Sequence, residues 1–332
     1  MQRITRLAVP AALLIVVFLA IPATGQPVGS SFSADDWPMA GGDWTSSRYS
    51  TLDQISTDTI DRLGGEWVIR IPGGGSSRST PAVKDGVIYL TAAASVVAID
   101  GATGDSRWQW QAEDPASGRA PSWQGVGLDD DKVYVGLRSV EVGAISQETG
   151  ELVWATDVGS DPDVAGETVT TAPIIADGKV FVGVANGDSG GQGRIVGLDA
   201  DSGELLWTFH VIPRPGEFGH DSWPQDSNIW EVGGGGVWLV GTVDPELGLV
   251  YFATGNPVPM FGGEIRGGDN LFTAAVLAID IETGERRWHF QVVRHDIWDA
   301  DIATPMLLYD VEMDGQLRRG VAAIRADGYL FL

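Results

Sequence analysis

The chain has 332 residues, 43% of them hydrophobic, which is enough to bury a large core. Its formal charge of −24 repels phosphate backbones, and no basic cluster offsets that charge, so nucleic acid is not expected as a partner. Cysteine is absent, which excludes disulfides, thiol chemistry and zinc–cysteine sites. The 45 glycines and 13 tryptophans, with short runs of Val, Ile and Thr, favour many short strands joined by tight turns.

The N-terminus has the pattern of an export signal. Two arginines open it, Leu7 to Pro22 form an apolar stretch, and Ala23-Thr24-Gly25 supplies small residues for cleavage. We therefore predict a signal peptide at residues 1–25 and a folded domain at residues 26–332, outside the cytoplasm. The alternative is an uncleaved membrane anchor, although the apolar stretch is shorter than the roughly 20 residues that span a bilayer.

A nine-residue pattern recurs four times along the chain, and each copy places Gly four residues before Trp. The Thr/Ser-Gly pair predicts a turn in which Gly supplies a positive φ, the run before it predicts a strand, and the Trp opens the next strand. The four copies are Asp100 to Trp108, Ser146 to Trp154, Asp199 to Trp207 and Asp280 to Trp288.

The spacing of these copies is that of a propeller blade. Gly104, Gly150, Gly203 and Gly284 are separated by 46, 53 and 81 residues, as expected for four-stranded blades with one long insertion in the last interval. Further strands are predicted before the first three turns, at residues 86–90, 132–136 and 179–183. We predict an all-β protein, a β-propeller with tryptophan-docked blades. A sandwich or barrel with coincidental turns is the alternative.

The pattern gives about four blades and part of a fifth. The fifth is predicted to begin at residues 320–324, and the sequence ends at Leu332 before its turn and Trp. Because a propeller closes its ring to protect its sheet edges, we expect the N-terminal part of a longer protein or a truncated product.

An acidic cluster follows the fourth copy of the pattern. Asp296, Asp299 and Asp301 lie within a few residues of one another, beside His295 and Trp298. These carboxylates would repel one another if they were buried together, and a bound cation is the usual way in which such repulsion is removed. The alternative is a solvated acidic turn between strands.

The turn–Trp pattern and this cluster together resemble the quinoprotein alcohol and sugar dehydrogenases, periplasmic eight-bladed propellers that carry pyrroloquinoline quinone (PQQ). The resemblance covers nearly the whole mature chain, and its motifs occur in the order found in that family. The segments that carry it are residues 36–55, 170–173, 253–257, 266–270 and 288–291.

The resemblance implies a metal site formed by Asp188, Asn256 and Asp299. Two carboxylates and an amide oxygen are hard ligands, which suit Ca²⁺ or a lanthanide better than zinc or copper. Asp301, two residues after Asp299, is expected to point to the same side of a strand and to supply a further oxygen. The family usually has Glu where Asp188 stands, so this ligand is one methylene shorter.

The resemblance also implies how the cofactor is held and used. Asp299 is expected to be the general base that removes the alcohol proton in a pocket that excludes water, while the cation polarises the quinone carbonyl. Trp238 is expected to offer its flat indole to the cofactor plane, with a blade-packing Trp as the alternative. Thr170 and Asp301 complete the expected cofactor contacts.

Three positions that touch the quinone in the family differ in this chain. Arg78 stands where Glu is expected, Gln124 where Arg is expected, and Ala326 where Lys or Arg is expected. Arg78 and Arg325 could compensate from adjacent positions. The vicinal cysteine pair of many members is also missing. Whether these changes still allow PQQ to bind is open at this point.

The leading hypothesis is a periplasmic PQQ- and metal-dependent dehydrogenase that oxidises an alcohol or a sugar. It would pass electrons to a cytochrome c or a membrane quinone, and the chain has no haem-attachment motif of its own. An anchored form on the inner membrane is the alternative location. The alternative functions are a non-enzymatic propeller scaffold, such as the outer-membrane assembly propeller, and an inactive truncated homologue. The metal-site residues separate the enzyme from the scaffold.

Overall fold

Short antiparallel strands account for nearly all regular structure. The computed structural model describes residues 32–72, 78–92, 94–111, 121–137, 139–160, 166–185 and 189–332. The predicted signal peptide lies outside these ranges. Within them, the only helices are single 3-10 turns, and no helix is long and apolar enough to cross a membrane. The turns are Ile60–Arg62, His220–Ser222, Ile229–Val232 and Gly263–Ile265.

Four sheets contain four strands each, paired in chain order, and each forms one blade. Blade 1 contains β1 (Ala82–Lys84), β2 (Val87–Ala92), β3 (Ser95–Asp100) and β4 (Ser106–Gln111). Blade 2 contains β5 (Pro121–Leu128), β6 (Lys132–Leu137), β7 (Glu141–Ser146) and β8 (Leu152–Asp157). Blade 3 contains β9 (Ile174–Ala176), β10 (Lys179–Val184), β11 (Arg194–Asp199) and β12 (Leu205–His210). Blade 4 contains β13 (Thr242–Asp244), β14 (Leu249–Ala253), β15 (Ala275–Asp280) and β16 (Arg286–Gln291).

A fifth sheet contains three strands, β17 (Leu307–Met313), β18 (Gln316–Ile324) and β19 (Leu330–Phe331). The all-β propeller with four blades and part of a fifth is therefore confirmed. The predicted start of the fifth blade is wrong, because residues 320–324 end its second strand. The first strand of this sheet, β17, was not predicted because it mixes acidic and apolar residues and is only partly buried.

The core lies between the blades rather than inside one sheet. Four clusters of buried apolar residues fill the contacts between successive blades, from blades 1 and 2 to blades 4 and 5. A middle strand therefore packs on both of its faces. Every residue of β6 is buried for this reason, whereas the outermost strand β8 has no buried residue. Apolar runs in the middle strands are the sequence signature of this arrangement.

The nine-residue motifs form the turns between the third and fourth strands, and the Trp of one blade docks on the turn of the next. Trp154 donates its indole N–H to the carbonyl of Ala200 at 3.2 Å. A Cβ on Gly203, where φ is +75°, would lie 2.6 Å from that indole. Glycine is needed here for both its backbone angle and its small size. The equivalent pairs are Trp67 with Gly104, Trp108 with Gly150, and Trp207 with Gly284.

The segment at residues 37–48 crosses the innermost strands of all five sheets. Trp37 exchanges two backbone hydrogen bonds of 2.8 Å with Val83, and Trp44 donates its indole N–H to the carbonyl of Ile175 at 2.7 Å. The other contacts are the backbone bonds from Leu128 to Pro38, from Val243 to Trp44 and from Leu308 to Thr45. This segment ties the blades together from the inside.

The two ends of the blades differ because the strands alternate in direction. One end, here called the turn end, carries the tight turns between first and second strands and between third and fourth strands. The other, the loop end, carries the connections between second and third strands and between blades. The predicted long insertion lies at the loop end, at residues 211–241 and 254–274.

Candidate metal and cofactor site

The loop end of blade 4 brings together most of the predicted site residues. The indole N–H of Trp238 donates to Oδ2 of Asp301 at 2.9 Å. The backbone carbonyl of Trp238 accepts a hydrogen bond from the Thr170 hydroxyl at 3.4 Å. Asn256 is buried beside them, and its backbone also bonds to Asp301. Segments far apart in sequence therefore meet at the Asp301 carboxylate.

A run of four glycines, residues 233–236, allows this meeting. The amide of Gly235 donates to the carbonyl of Asn256 at 2.9 Å, and the amide of Gly193 donates to the carbonyl of Gly234 at 2.9 Å. A Cβ on Gly193 would lie 1.9 Å from the carbonyl oxygen of Gly235. Three backbone segments thus lie side by side at distances that side chains would prevent. The run positions Asn256 close to Trp238.

Asp301 has the most unusual environment at this end. Its Oδ1 atom is buried and has no hydrogen-bond partner among the residues that the structure describes. Burial is the main cause that raises the pKa of this carboxyl to about 7, with a further contribution from the neighbouring charge of Asp299, while the hydrogen bond from Trp238 acts in the opposite direction. A buried carboxylate with an unpaired oxygen next to a second carboxylate is stabilised by a cation. The environment of Asp301 therefore fits the hard, oxygen-binding metal predicted from sequence.

The acidic cluster lies on a loop, not on a strand. Residues 292–306 connect β16 to β17, so the expectation that Asp299 and Asp301 share one side of a strand is wrong. Asp299 has a φ of +60° and is exposed. The described residues therefore do not supply the water-excluding pocket that we expected around it.

The metal ligand set remains a prediction. Asp188 lies outside the described residues. Within the described ranges, no three or more histidine and acidic side chains are arranged as a metal site. The predicted ligand set does not require three histidine or acidic side chains within the described ranges, because Asn256 would contribute an amide oxygen and Asp188 the third carboxylate.

The residues that stand at positions where the family contacts the cofactor bond to other groups in this structure, or are exposed. Gln124 donates its side-chain N–H to the carbonyl of Trp238 at 2.7 Å, so it supports the predicted stacking residue. The backbone amide of Ala326 donates to the carbonyl of Asp301 at 2.8 Å. Arg325 pairs with Asp327 in its own hairpin and donates to the carbonyl of Val292 at 3.4 Å, and Arg78 is exposed. The described contacts show no compensating cation at the site.

Two further residues at this end, Arg266 and Asp296, are fully buried. Sequence reasoning placed Asp296 in the acidic cluster and Arg266 in a family segment, but it gave neither of them a role in holding the loops. Charged residues are rarely buried, but a sequence alone does not show which of them are. The ring Nδ1 of His295 lies 2.8 Å from the carbonyl of Gly268, and this contact holds two loops together.

A cavity of about 740 Å³ lies elsewhere, at the turn end. Its lining includes Trp44, Ile175 and an acidic rim near Lys132. Lys132 already pairs with Asp131 and Asp201 at 2.8 and 3.1 Å. The cavity contains none of the predicted site residues, so the chemistry places the candidate site at the loop end.

A sequence model described as "PQQ: Glucose/ethanol/alcohol dehydrogenase, beta-propeller domain" matches residues 37–332. The quinohemoprotein alcohol dehydrogenase of Comamonas testosteroni is 34% identical over 90% of this chain and 44% of its own length. The quinoprotein alcohol dehydrogenase PedH of Pseudomonas putida is 32% identical over 86% of this chain and 51% of its own length. The chain thus spans about half the length of these relatives.

Solved structures show the same likeness. The crystal structure of the Comamonas testosteroni enzyme superposes with a TM-score of 0.83, covering 90% of this chain and 47% of that one. A europium-containing methanol dehydrogenase superposes with a TM-score of 0.80 at 26% identity, covering 90% of this chain and 56% of that one.

Proposed function

The chain belongs to the family of PQQ-dependent glucose, ethanol and alcohol dehydrogenases with a β-propeller domain, and from that premise we propose that it binds PQQ and a metal at the loop end and oxidises an alcohol. The observation that carries the proposal is the buried Oδ1 of Asp301, which lies beside the charge of Asp299 and has no hydrogen-bond partner in the described part of the chain. A buried carboxylate oxygen of this kind requires an explanation, and a bound cation supplies one.

The residues present fit the implied groups. Asn256, Asp299 and Asp301 would hold the metal, together with Asp188, and the preference is for Ca²⁺ with a lanthanide as the alternative. When bound, the metal supplies a Lewis acid and the quinone accepts a hydride. Trp238 would support the quinone plane, because Gln124 and Asp301 fix its backbone and its indole.

Asp299 is the residue that we assign to proton transfer. Its carboxylate stands exposed at the mouth of the site, where an alcohol hydroxyl can reach it. A positioned general base of this kind contributes a factor of about 10²–10⁴ to a rate.

We further propose an alcohol with a carbon chain rather than a sugar. Phe261, Ile265 and Trp298 are exposed by 74%, 54% and 76%, and they lie on the two loops that adjoin Asp299. The loops touch, since a Cβ on Gly263 would lie 2.6 Å from Ile297. Apolar side chains favour a hydrocarbon chain over a ring of hydroxyl groups.

The location and the electron acceptor belong to the same proposal. The signal pattern at residues 1–25 supports a periplasmic enzyme, and the acceptor would be a cytochrome c or a membrane quinone. The anchored form stays the alternative.

Turnover tests the proposal. The purified protein is loaded with PQQ and either Ca²⁺ or La³⁺, and dye-linked oxidation of 1-propanol is compared with oxidation of glucose. We expect turnover of the alcohol and a fall in kcat of about 10²–10⁴-fold in Asp299→Asn. Asp280→Asn, at the turn end of the same blade, is the control and should keep its activity. No turnover of either substrate by a folded, loaded protein would refute the proposal.

A further inference from the structure

The carboxylate of Asp296 holds the backbone on both sides of Asp299. Asp296 is 1% exposed, and its two oxygens accept the amides of Trp298 at 2.9 Å and of Ala300 at 2.8 Å. Asp299 lies between them with a φ of +60°, which residues other than glycine rarely adopt. The unusual backbone at Asp299 is thus fixed by the residue three positions before it.

Arg266 connects this loop to the loop that follows Asn256. It is 0% exposed, and its guanidinium donates to the carbonyls of Pro259 and Met260 at 2.9 and 2.8 Å. It also donates to the carbonyl of Asp296. Its remaining bond, of 2.8 Å, goes to the side-chain oxygen of Asn270, which returns a bond to the Arg266 carbonyl. One buried cation therefore satisfies carbonyls from two loops that each carry a predicted metal ligand.

The sheet itself does not need this network. Blades 1 and 2 connect their second and third strands through residues 93–94 and 138–140 alone, whereas blade 4 uses residues 254–274. Arg266 lies in that longer connection, and Asp296 lies in the connection to the fifth blade. Burying a guanidinium is costly unless all its donors are bonded. A buried and bonded guanidinium at this place therefore indicates that the geometry of the two loops matters.

We propose that Arg266 and Asp296 are positioning residues, which set the spacing between Asn256 and Asp299 and hold Asp299 in the orientation that binds metal. The inference rests on the proposed function for its metal. That Arg266 and Asp296 hold the two loops in place follows from the contacts alone. Residues that orient metal ligands typically change metal affinity by about 10–100-fold when they are replaced.

Two measurements on Asp296→Asn test the proposal. An amide keeps the size of the carboxylate but offers one acceptor oxygen, so one of the two amides loses its partner. In the metal-free protein we expect faster hydrogen exchange in the peptide that spans residues 296–303. In the PQQ-loaded protein, titration with La³⁺ and detection by quinone absorbance should show an affinity about 10–100-fold lower.

Two further variants complete the design. Arg266→Lys keeps the charge but cannot bond to all these oxygens at once, and it should shift both measurements in the same direction. Asp199→Asn is the control, because a single oxygen of Asp199 accepts the amides of both Asp201 and Ser202, at 3.1 and 2.8 Å, at the turn end. Its amide keeps one acceptor oxygen, so the substitution should leave hydrogen exchange at residues 296–303 and La³⁺ affinity unchanged.

The proposal is overturned if Asp296→Asn and Arg266→Lys exchange faster but bind La³⁺ as tightly as the parent, because the residues would then serve the fold alone. Unchanged exchange in both folded variants would overturn it as well. Should Asp296→Asn fail to fold, Arg266→Lys decides by the same two criteria. Failure of the parent to bind La³⁺ with PQQ would refute the proposed function itself, and the parent titration shows this separately.

Discussion

The turn end and the loop end are built from the same sheets but follow opposite rules. At the turn end, the same Gly–Trp contact joins blades 1 to 4 in succession. At the loop end, corresponding positions differ: the third strands of blades 1 to 4 begin with Ser95, Glu141, Arg194 and Ala275. Contacts that recur from blade to blade therefore form the ring. Positions whose residue differs from blade to blade make the contacts that serve one site.

Charged residues follow the same division. At the turn end, a lysine near the first tight turn of each of blades 1 to 3 bonds to the following blade. These contacts are Lys84 to the carbonyl of Asp130, Lys132 to Asp201, and Lys179 to Glu282. The loop end instead has Arg194 with Glu167, Arg266 with its carbonyls, and the acidic cluster, none of which recurs in the described blades.

The largest loss of stability is expected for Arg194→Met, at the loop end. Arg194 and Glu167 form two hydrogen bonds of 2.9 and 2.8 Å, and their side chains are only 5% and 1% exposed. Removing one partner leaves a buried charge without compensation, which costs about 3–5 kcal/mol. Urea unfolding measures the change. A loss below 1 kcal/mol would show that this pair is not buried in solution.

The same pair gives a pH dependence. Burial alone would raise the pKa of Glu167, but hydrogen bonds from Arg194 and Ser160 outweigh it and lower the pKa below its usual 4.5. The stabilisation is therefore present above about pH 4.5 and is lost as the pH falls through the lowered value. We expect the difference in unfolding free energy between the parent and Glu167→Gln to shrink between pH 7 and pH 3. A constant difference would contradict this assignment.

At the turn end, Gly203→Ala should cost more than Gly178→Ala. Both glycines have a positive φ, of +75° and +67°, so both substitutions introduce backbone strain of about 1–2 kcal/mol. Only Gly203 lies under an indole, which adds about 1–3 kcal/mol of overpacking against Trp154. The difference between their denaturation midpoints measures the docking contact. Equal losses of stability in the two variants would mean that Trp154 can move away from the added methyl group at no cost.

The smallest effect is expected for Lys179→Met. Its 2.7 Å pair with Glu282 joins blades 3 and 4, but Glu282 is 59% exposed. Pairs of this kind contribute about 0–1 kcal/mol and weaken with salt. Thermal unfolding at low and high salt checks the prediction. A loss above 2 kcal/mol would make the ion pairs, rather than the tryptophans, the main link between blades.

The sequence predicted what is local and repeated. The turns, the middle strands and the four blades follow from spacing and apolar runs. Trp238 and Asn256 both bond to Asp301, but the roles assigned to these residues stay predictions. The first strand of the fifth blade was missed because its pattern is mixed. The roles of Arg266, Asp296 and Gln124 were missed because each depends on bonds to backbone groups distant in sequence, which no local pattern shows.

Equilibrium binding of PQQ tests the division between the two ends most directly. The parent, Asp301→Asn and Gly203→Ala are titrated with PQQ in the presence and absence of Ca²⁺ or La³⁺. We expect metal-dependent binding by the parent and by Gly203→Ala, despite the lower stability of the latter, and at least about tenfold weaker metal binding by Asp301→Asn. Unchanged binding by Asp301→Asn, or loss of binding by folded Gly203→Ala, would contradict the account.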